Sequence, residues 1–500
     1  ITGTPLDASY LLDAPAGKHG FLTKTDNTAF VFEDNTKISF WGVNVNSGNC
    51  MPTHEDAELF AERLAQLGFN MVRLISFEAP IFGGRKSNGG REMIAENIDR
   101  FCYFINELKK RGIYCMLENI AGYRYLLDDE ITDVENIEHA ARYYGYYDED
   151  LIQLQKRIFG SILDYYNPYT GMKIKDDPAV ALIDLRNENT ITTSVVRSSE
   201  YYDNQLKVKF NNWLLERYGS TSAAVSAWTP IYNSSNAESG DKAFNDNESI
   251  ENGTVEIPGY SDLISSSFLK KRIIDTNIFT AGIQKQYFEH MTDYLRNLGV
   301  KCLITGSTSW DSLGRVVINF YTNAFTDFID THKYWNSLSN RFNAGSSMGT
   351  VPASMLSNSA LGIVGTSAAE CVYGMPHIIS EWNTSAGSPF KSESIVLMAS
   401  YAALHGMHPI QFSWGSTDSE SYMDDIFRMY EPYDIYNQPN VTLALPAASA
   451  IRLNGDVAET QYGFYGQRYK GEEPFASYFQ HANRTTKFTT PQLALIGKTG

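Results

Sequence analysis

Short apolar runs typical of β-strands alternate with helical patterns along most of this 500-residue chain. Alternation of this kind favours parallel strands joined by helices, because each crossover returns the chain to the same end of the sheet. We predict eight such strands, which is the number that closes a (β/α)8 TIM barrel. They cover residues 38–44, 70–76, 113–119, 180–186, 300–305, 325–331, 377–380 and 409–413.

The helical patterns carry start and stop signals. Thr53 and Asp56 resemble a capping box, and an apolar stripe follows until Gly68. Further helical patterns precede the third and fifth strands and follow the eighth, the last of them at residues 442–453.

Three segments define the predicted domain organisation. Residues 1–37 form an N-terminal β extension, expected as a hairpin at the bottom of the barrel. Residues 38–455 form the barrel, with an insertion at 190–265 that leaves from the carboxyl end of a strand, where barrel enzymes keep their sites. Residues 456–500 turn β-like and predict a small C-terminal β domain, whose completeness the sequence leaves open.

Composition excludes several partners. A formal net charge of −17 argues against nucleic acid, which needs a basic face. No run approaches the 18 apolar residues of a membrane-spanning helix. Aromatic residues make up 13% of the chain, which suits stacking on sugar rings, although most aromatics in a large protein fill its core.

The cysteines and histidines indicate neither a disulfide framework nor a metal site. The five cysteines have no paired spacing, and the nine histidines show no metal-binding motif. We therefore predict no cofactor and no metal. The chain starts at Ile1, which is compatible with a processed secreted protein or a trimmed one, and the expected location is secreted, periplasmic or cell-surface. The oligomeric state stays open.

Two predicted strands end in a glutamate. The fourth runs through an apolar segment into Asn187 and Glu188, and the seventh ends at Glu381. A single glutamate at a strand end is more often a solvated carboxylate or part of an ion pair. Two at matching positions can face each other across the mouth of a barrel, as glycoside hydrolysis requires of its two carboxyl groups.

The strand-end motifs resemble the clan A glycoside hydrolases, and within them the family 5 cellulase-type barrel enzymes and their near relatives. One motif falls on each of six strands, and the resemblance covers roughly residues 38–454. The matching stretches are Phe40 to Val45, Gly68 to Leu74 with Arg73, Asn187-Glu188, His332 to Tyr334, Glu381, and Phe412 to Trp414.

This resemblance implies a retaining glycoside hydrolase acting on β-glycosidic bonds through a covalent glycosyl-enzyme. Glu188 would be the catalytic acid/base and Glu381 the nucleophile. Arg73 and Tyr334 are suited to keep Glu381 ionised and oriented, and Asn187 to bind the sugar 2-hydroxyl. The remaining implied substrate contacts are a hydrogen bond from His332 to the sugar or to Glu188, and a stacking floor formed by Trp414.

The third strand departs from the family 5 pattern. These barrels commonly show a histidine there, whereas this chain has Glu118 and Asn119, which are expected to contact sugar instead. Glu118 and Glu78 are also rival carboxylates for catalysis. Trp310 and Trp382 are candidate stacking residues, with core packing as the open alternative for both.

Other expectations concern specificity and structure. We expect the 190–265 insertion and the tyrosine cluster at residues 143–147 to select the substrate. Asp184 and Arg186 share strand parity and predict an ion pair inside the barrel.

Three other classes compete with this interpretation. A metal-dependent barrel hydrolase would need clustered metal ligands, and a serine hydrolase would need a Gly-x-Ser-x-Gly elbow. This sequence shows neither motif. The serious alternative is a non-catalytic carbohydrate-binding barrel protein, because a fold does not determine a function. The sugar, the linkage and endo or exo action are not readable from the sequence.

Overall fold

The structure, a computed structural model, describes residues 3–25, 29–83, 92–119, 131–137, 141–191, 198–228, 244–258, 270–308, 313–335, 353–359, 361–385, 388–418, 433–460, 463–464, 470–475 and 498–499. Eight parallel strands form its central sheet. In chain order they are Gly42–Asn46, Met71–Ile75, Tyr114–Glu118, Val180–Arg186, Leu303–Ser307, Ile329–Trp335, His377–Thr384 and Met407–Gln411.

These strands form a nearly closed (β/α)8 barrel. Consecutive strands pair in parallel except the fifth and the sixth, and the eighth pairs with the first through Ile410 and Gly42. The fifth and sixth strands are the two edges of the hydrogen-bonded sheet. Asp327, just before the sixth strand, bridges this seam by donating its backbone N–H to the Ile304 carbonyl at 2.8 Å. The predicted fold class is therefore confirmed.

Each predicted strand overlaps an observed one, but several boundaries lie further along the chain. The sixth strand occupies Ile329–Trp335 rather than 325–331, and the first begins at Gly42 rather than at residue 38. Phe40 and Trp41 are fully buried aromatics, so their apolar character extended the predicted first strand beyond its ladder.

Helices cover the outside of the barrel between the strands. The longer ones are His54–Gln66, Ala95–Lys110, Glu149–Leu163, Glu200–Tyr218, Thr221–Trp228, Lys270–Leu298, Leu313–Asn323, Ile363–Ala369, Lys391–His405 and Leu445–Leu453. Four-residue helices lie at Glu78–Ile81, Val134–Ile137, Ala141–Tyr144 and Pro439–Thr442. Among the described residues, part of the predicted insertion is thus helical.

The first of these helices shows how local sequence sets an element. The Thr53 hydroxyl accepts the Asp56 N–H at 3.2 Å and donates to the Asp56 carboxylate at 2.7 Å, so the helix begins where the capping pattern predicted. It ends before Gly68, whose φ of 80° lies in the left-handed region that favours glycine.

An N-terminal hairpin closes the bottom of the barrel. Its strands, Leu22–Lys24 and Phe30–Phe32, pair antiparallel. The Phe30 ring lies 4.7 Å from His408 and 5.8 Å from Phe40 between ring centroids. Side chains of the hairpin and of the barrel interior form one buried apolar cluster, which includes Phe30, Phe32, Phe40, Met71, Met116, Leu182, Ile378 and Ile410.

Beyond the barrel, Gly463–Phe464 and Lys498–Thr499 pair as two short parallel strands. Most of the 456–500 segment predicted as a β domain lies outside the described residues, and the proposed domain boundaries stay predictions. Among the described helices, none combines the length and the apolar character that a membrane crossing needs.

Truncating the hairpin's central ring tests its part in the barrel core. Phe30 is fully buried, so Phe30→Ala should lower the free energy of unfolding by about 3–5 kcal/mol. The control Tyr10→Ala removes a ring that is 73% exposed and should change it by no more than about 0.5 kcal/mol. Urea titration followed by tryptophan fluorescence measures both free energies of unfolding. Equal losses in the two variants would contradict the role of the hairpin as a plug that closes the bottom of the barrel.

Candidate active site

The fourth and seventh strands bring two carboxyl groups together at the carboxyl end of the barrel. One carboxylate oxygen of Glu188, one of Glu381 and one ring nitrogen of His332 all lie within 4.8 Å of one another. Glu188 follows the fourth strand directly after Asn187, and Glu381 lies within the seventh. The structure thus places the two predicted glutamates across a small common space.

The two glutamates occupy different environments. The Glu381 side chain is only 5% exposed, whereas that of Glu188 is 31% exposed. Burial nevertheless raises the pKa of Glu188 above its usual value, against the opposing charges of Arg73 and Arg142. A carboxyl group with a raised pKa holds its proton to higher pH.

Arg73 is the fully buried cation beneath this pair. Its Nη1 donates to Glu381 Oε1 at 2.8 Å and to Asn44 Oδ1 at 3.1 Å. Its Nη2 donates to Asp184 Oδ2 at 2.9 Å and to Asn187 Oδ1 at 2.8 Å. Although burial opposes its charge, the surrounding carboxylates hold the pKa of Arg73 above its usual value. One guanidinium therefore orients side chains from the first, fourth and seventh strands.

Tyr334 completes the hydrogen bonding of Glu381. Its hydroxyl donates to Glu381 Oε2 at 2.6 Å. Burial and the neighbouring carboxylates raise the pKa of Tyr334 well above its usual value, so the phenol keeps its proton. Glu381 thus receives one charged donor and one neutral donor, which together fix the orientation of its carboxyl group.

His332 links the two glutamates to the seventh strand. Its Nδ1 lies 2.7 Å from Glu188 Oε1 and 3.4 Å from Glu381 Oε2, and its Nε2 lies 2.8 Å from Ser380 Oγ. Burial lowers the pKa of His332 to about 3, so its imidazole is neutral near pH 7. A neutral imidazole donates through one nitrogen and accepts through the other.

Further carboxyl groups surround Arg73 inside the barrel. Burial raises the pKa of Asp184 to about 6, and it raises those of Glu118 and Asp330 well above their usual values. Glu78 is also buried, and its charge adds to the shift at Glu118. These buried acids share one guanidinium, which explains why desolvation dominates their titration.

Glu118 and Asn119 end the third strand with unsatisfied polar groups. Both are fully buried, and among the described residues neither the carboxylate oxygens of Glu118 nor the side-chain amide of Asn119 has a hydrogen-bond partner. Buried polar groups without partners are costly, so these atoms call for a ligand or water. Among the described residues, the group of three ligand-type side chains within 4.8 Å of one another contains Glu188 and Glu381 but not Glu118.

A cation could in principle use the Glu188, His332 and Glu381 atoms, which lie close enough to share one ion. The existing bonds compete with such a role. Both Glu381 oxygens already accept from Arg73 and Tyr334, and the neighbouring guanidinium charge would repel a metal ion. The donor set fits a carboxylate pair better than a metal centre.

The sugar platform predicted at Trp414 is wrong in this structure, and the alternative left open at Trp382 is resolved. Trp414 is 1% exposed, and its ring centroid lies 5.2 Å from Phe60, so it packs in the core instead of forming a sugar platform. Trp382 is fully buried and lies 5.8 Å from Trp41, which decides the alternative in favour of core packing. Trp310 lies outside the described residues.

Two aromatic residues that the sequence interpretation missed lie beside Tyr334. The Tyr433 ring lies 4.7 Å from the Tyr334 ring, and the Phe412 ring lies 6.0 Å from it. Both are only half-buried. The Asn383 amide donates to the Tyr433 carbonyl at 2.7 Å and also to the Phe412 carbonyl, which fixes this part of the chain.

The predicted ion pair of Asp184 with Arg186 is also wrong. Asp184 bonds to Arg73, while Arg186 Nη2 donates to Gln155 Oε1 at 2.8 Å. The Arg186 guanidinium lies between Tyr146 and Tyr287, at 4.8 and 4.6 Å from their ring centroids. Residues two positions apart on a strand normally point to the same side. This rule fails here because the strand ends at Arg186.

The tyrosine cluster at residues 143–147 is mainly structural. Tyr144, Tyr146 and Tyr147 are all buried, so the expectation that this cluster selects the substrate is wrong for these three. The Tyr146 hydroxyl donates instead to the Asn189 carbonyl at 2.6 Å, behind the turn that carries Glu188.

The (β/α)8 fold is shared with solved structures of glycoside hydrolases. No protein-family model matches the sequence, and no curated protein matches it. Solved structures do match. An endo-β-1,4-mannanase from Thermotoga petrophila superposes with a TM-score of 0.52 at 13% identity, covering 85% of this chain and 79% of that one.

Two further matches extend the likeness. A glycoside hydrolase family 5 mannosidase from Rhizomucor miehei gives a TM-score of 0.53 at 12% identity, covering 87% of this chain and 98% of that one. A β-galactosidase from Marinomonas ef1 gives 0.56 at 13% identity, covering 89% of this chain and 66% of that one. The resemblance to these barrel enzymes is confirmed at the level of the fold.

Removing the shared cation tests the electrostatics of the site. Arg73→Met leaves Glu381 and Asp184 buried without their ion-pair partner and should destabilise the fold by about 3–5 kcal/mol at pH 7. The loss should shrink at pH 4.5. A carboxyl whose pKa is higher in the folded than in the unfolded chain binds its proton more tightly there, so falling pH stabilises the variant.

Urea unfolding at both pH values measures this effect. Arg100→Met is the control, because its guanidinium is 34% exposed and pairs with Glu96 on one helix. It should cost less than about 1 kcal/mol. A cost for Arg73→Met that does not change with pH would contradict the carboxylate cluster.

Proposed function

We propose that the protein is a retaining glycoside hydrolase that cleaves β-glycosidic bonds in a poly- or oligosaccharide by double displacement. The observation that carries the proposal is the close approach of Glu188 and Glu381 in unequal environments. Glycosidases need one carboxyl group that donates a proton and one that stays ionised. The likeness to mannanase, mannosidase and β-galactosidase structures supports it through the fold.

Glu381 is the proposed nucleophile. Its carboxylate forms a bond to the anomeric carbon while the bond from that carbon to the leaving oxygen breaks. Arg73 and Tyr334 hold the carboxylate at 2.8 and 2.6 Å, which orients it for attack. Water then replaces Glu381 at the anomeric carbon and releases the free carboxylate.

Glu188 is the proposed acid and base. It gives its proton to the leaving oxygen in the first step and takes a proton from the attacking water in the second. His332 can hold Glu188 in place throughout this cycle as one neutral tautomer. Its Nδ1–H donates to Glu188 Oε1 whether the other carboxyl oxygen carries the proton or has given it up, while its Nε2 accepts from the Ser380 hydroxyl.

The spacing of the carboxyl groups supports retention of configuration. Retaining enzymes hold them about 5–5.5 Å apart, whereas inverting enzymes need about 6.5–9.5 Å to admit a water. Carboxylate oxygens within 4.8 Å of each other fall on the retaining side of that division. A nucleophilic water between them would have too little room.

Substrate contacts are proposed on both sides of the carboxyl pair. Asn187, Glu118 and Asn119 offer polar groups to sugar hydroxyls, and the side chains of the last two have no hydrogen-bond partner within the described part of the chain. The half-buried rings of Phe412 and Tyr433 are the proposed stacking surface in place of Trp414. The 190–265 segment as a substrate wall, and a secreted, periplasmic or cell-surface location, stay proposals of the sequence.

Replacing the nucleophile tests the enzyme assignment. Glu381→Gln should lower turnover of the best aryl β-glycoside substrate by at least about 10⁴-fold, because no covalent intermediate can form. Binding of that substrate should persist. Glu107→Gln is a matched control at a buried glutamate that pairs with Lys110 and Arg111 on an outer helix, and it should keep activity within about threefold.

Steady-state kinetics on a panel of aryl β-glycosides provides these values. Full activity in Glu381→Gln would make the nucleophile assignment wrong. A wild-type protein that binds carbohydrate but hydrolyses none of the panel would favour the non-catalytic carbohydrate-binding alternative.

The stereochemical outcome tests the mechanism separately. Proton NMR of the first product formed from a β-glycoside should show the β-anomer before mutarotation, because two displacements restore the configuration. An α-anomer appearing first would mean inversion. In that case Glu381 would act on water and not on the sugar.

A further inference from the structure

The backbone at Glu188 has an unusual conformation. Its φ is 43°, in the left-handed region that residues with a side chain rarely adopt. Such conformations persist only where surrounding contacts impose them, and they are concentrated at functional sites. The turn at Glu188 therefore needs an anchor outside itself.

Thr308 supplies that anchor from the neighbouring strand. The Glu188 N–H donates to Thr308 Oγ1 at 2.7 Å, and the Thr308 N–H donates to the Arg186 carbonyl at 3.2 Å. Thr308 follows the fifth barrel strand directly and is 1% exposed. Its side chain and backbone thus fix the turn at two points.

The far side of the turn is fixed as well. The Ser307 hydroxyl donates to the Asn189 carbonyl at 2.6 Å, so successive residues of the fifth strand end bind Arg186, Glu188 and Asn189. Of these bonds, the one at Thr308 Oγ1 alone holds the Glu188 peptide itself among the described contacts.

The Glu188 side chain depends on this backbone for its direction. Among the described residues, its carboxylate has one hydrogen-bond partner, His332, and the side chain is 31% exposed. Glu381, by contrast, is held by Arg73 and Tyr334 and is 5% exposed. A change in the turn would therefore move Glu188 while leaving Glu381 in place.

We infer that Thr308 is a positioning residue for the acid/base: its hydroxyl oxygen imposes the left-handed turn that aims Glu188 at the leaving oxygen. The inference rests on the proposed function. Losing the oxygen would impair proton transfer selectively, since the nucleophile and its donors do not touch Thr308.

Leaving groups of different acidity separate this role from a general structural one. The leaving group of a 2,4-dinitrophenyl glycoside departs without being protonated. The leaving oxygen of a methyl glycoside of the same sugar must receive a proton from the acid. Thr308→Val keeps the shape of the side chain but removes the acceptor. It should lower kcat/KM at least about tenfold for the methyl glycoside and less than about threefold for the dinitrophenyl glycoside.

The second chemical step gives an independent readout. Glu188 must act as base when water attacks, so Thr308→Val should lower both kcat and KM on the dinitrophenyl glycoside as the glycosyl-enzyme accumulates. Azide needs no base and should restore kcat in this variant. Thr308→Ser keeps the oxygen and should match the wild type within about threefold on both substrates.

Equal losses on both substrates, no loss on either, or equal behaviour of the Val and Ser variants would overturn the inference. Absence of hydrolysis by the wild type would instead refute the proposed function. Thermal unfolding verifies each variant, and Thr308→Ala replaces a Val variant that does not fold. A crystal structure of the chosen variant with residue 188 still at positive φ would also contradict the anchor.

Discussion

The buried guanidinium of Arg73 is the interaction on which the architecture of the site depends. It joins Glu381, Asp184, Asn44 and Asn187, so three barrel strands are oriented by one charge. Burying a cation is costly unless it is paired and hydrogen-bonded, and the carboxylates need it equally. Neither side of this cluster is stable in the barrel without the other.

The barrel makes this cluster possible by separating two tasks along its axis. Apolar side chains and the N-terminal hairpin fill the lower interior, where Met116 and Leu182 lie. Polar and charged side chains occupy the upper interior, where the strands end. A low-dielectric base beneath the site strengthens each hydrogen bond to Glu381 and raises the pKa of the acids that have fewer donors.

Much of the fold could be predicted because the signals are local and periodic. An apolar run that ends in Asn187-Glu188 or in Glu381 gives both the strand and the position of its carboxyl group. The eight strands were found in order, with boundaries displaced where buried aromatics such as Phe40 extend the apolar run. Arg73 and Tyr334 were predicted through family resemblance, and both donate hydrogen bonds to the Glu381 carboxylate as expected.

What could not be predicted depends on how the chain leaves a strand. Phe412 and Trp414 are both aromatic and lie two residues apart. Phe412 is half-buried and Trp414 packs in the core, because the regular strand ends at Gln411 and its alternation of sides no longer applies. Arg186 turns away from Asp184 for the same reason. Thr308 gave no signal at all, since a hydroxyl that accepts one backbone N–H follows no sequence pattern.

The plug at the bottom of the barrel also has a consequence for biosynthesis. The Phe40 N–H donates to His408 Nδ1 at 3.1 Å, a bond between residues 368 positions apart, and Phe30 packs on the same ring. The hairpin leaves the ribosome before its partner on the eighth strand is made. Contacts this distant in sequence slow folding. Until they form, the apolar side chains of the hairpin stay exposed. Nascent chains of this protein are therefore most exposed to aggregation before the last barrel strand is made.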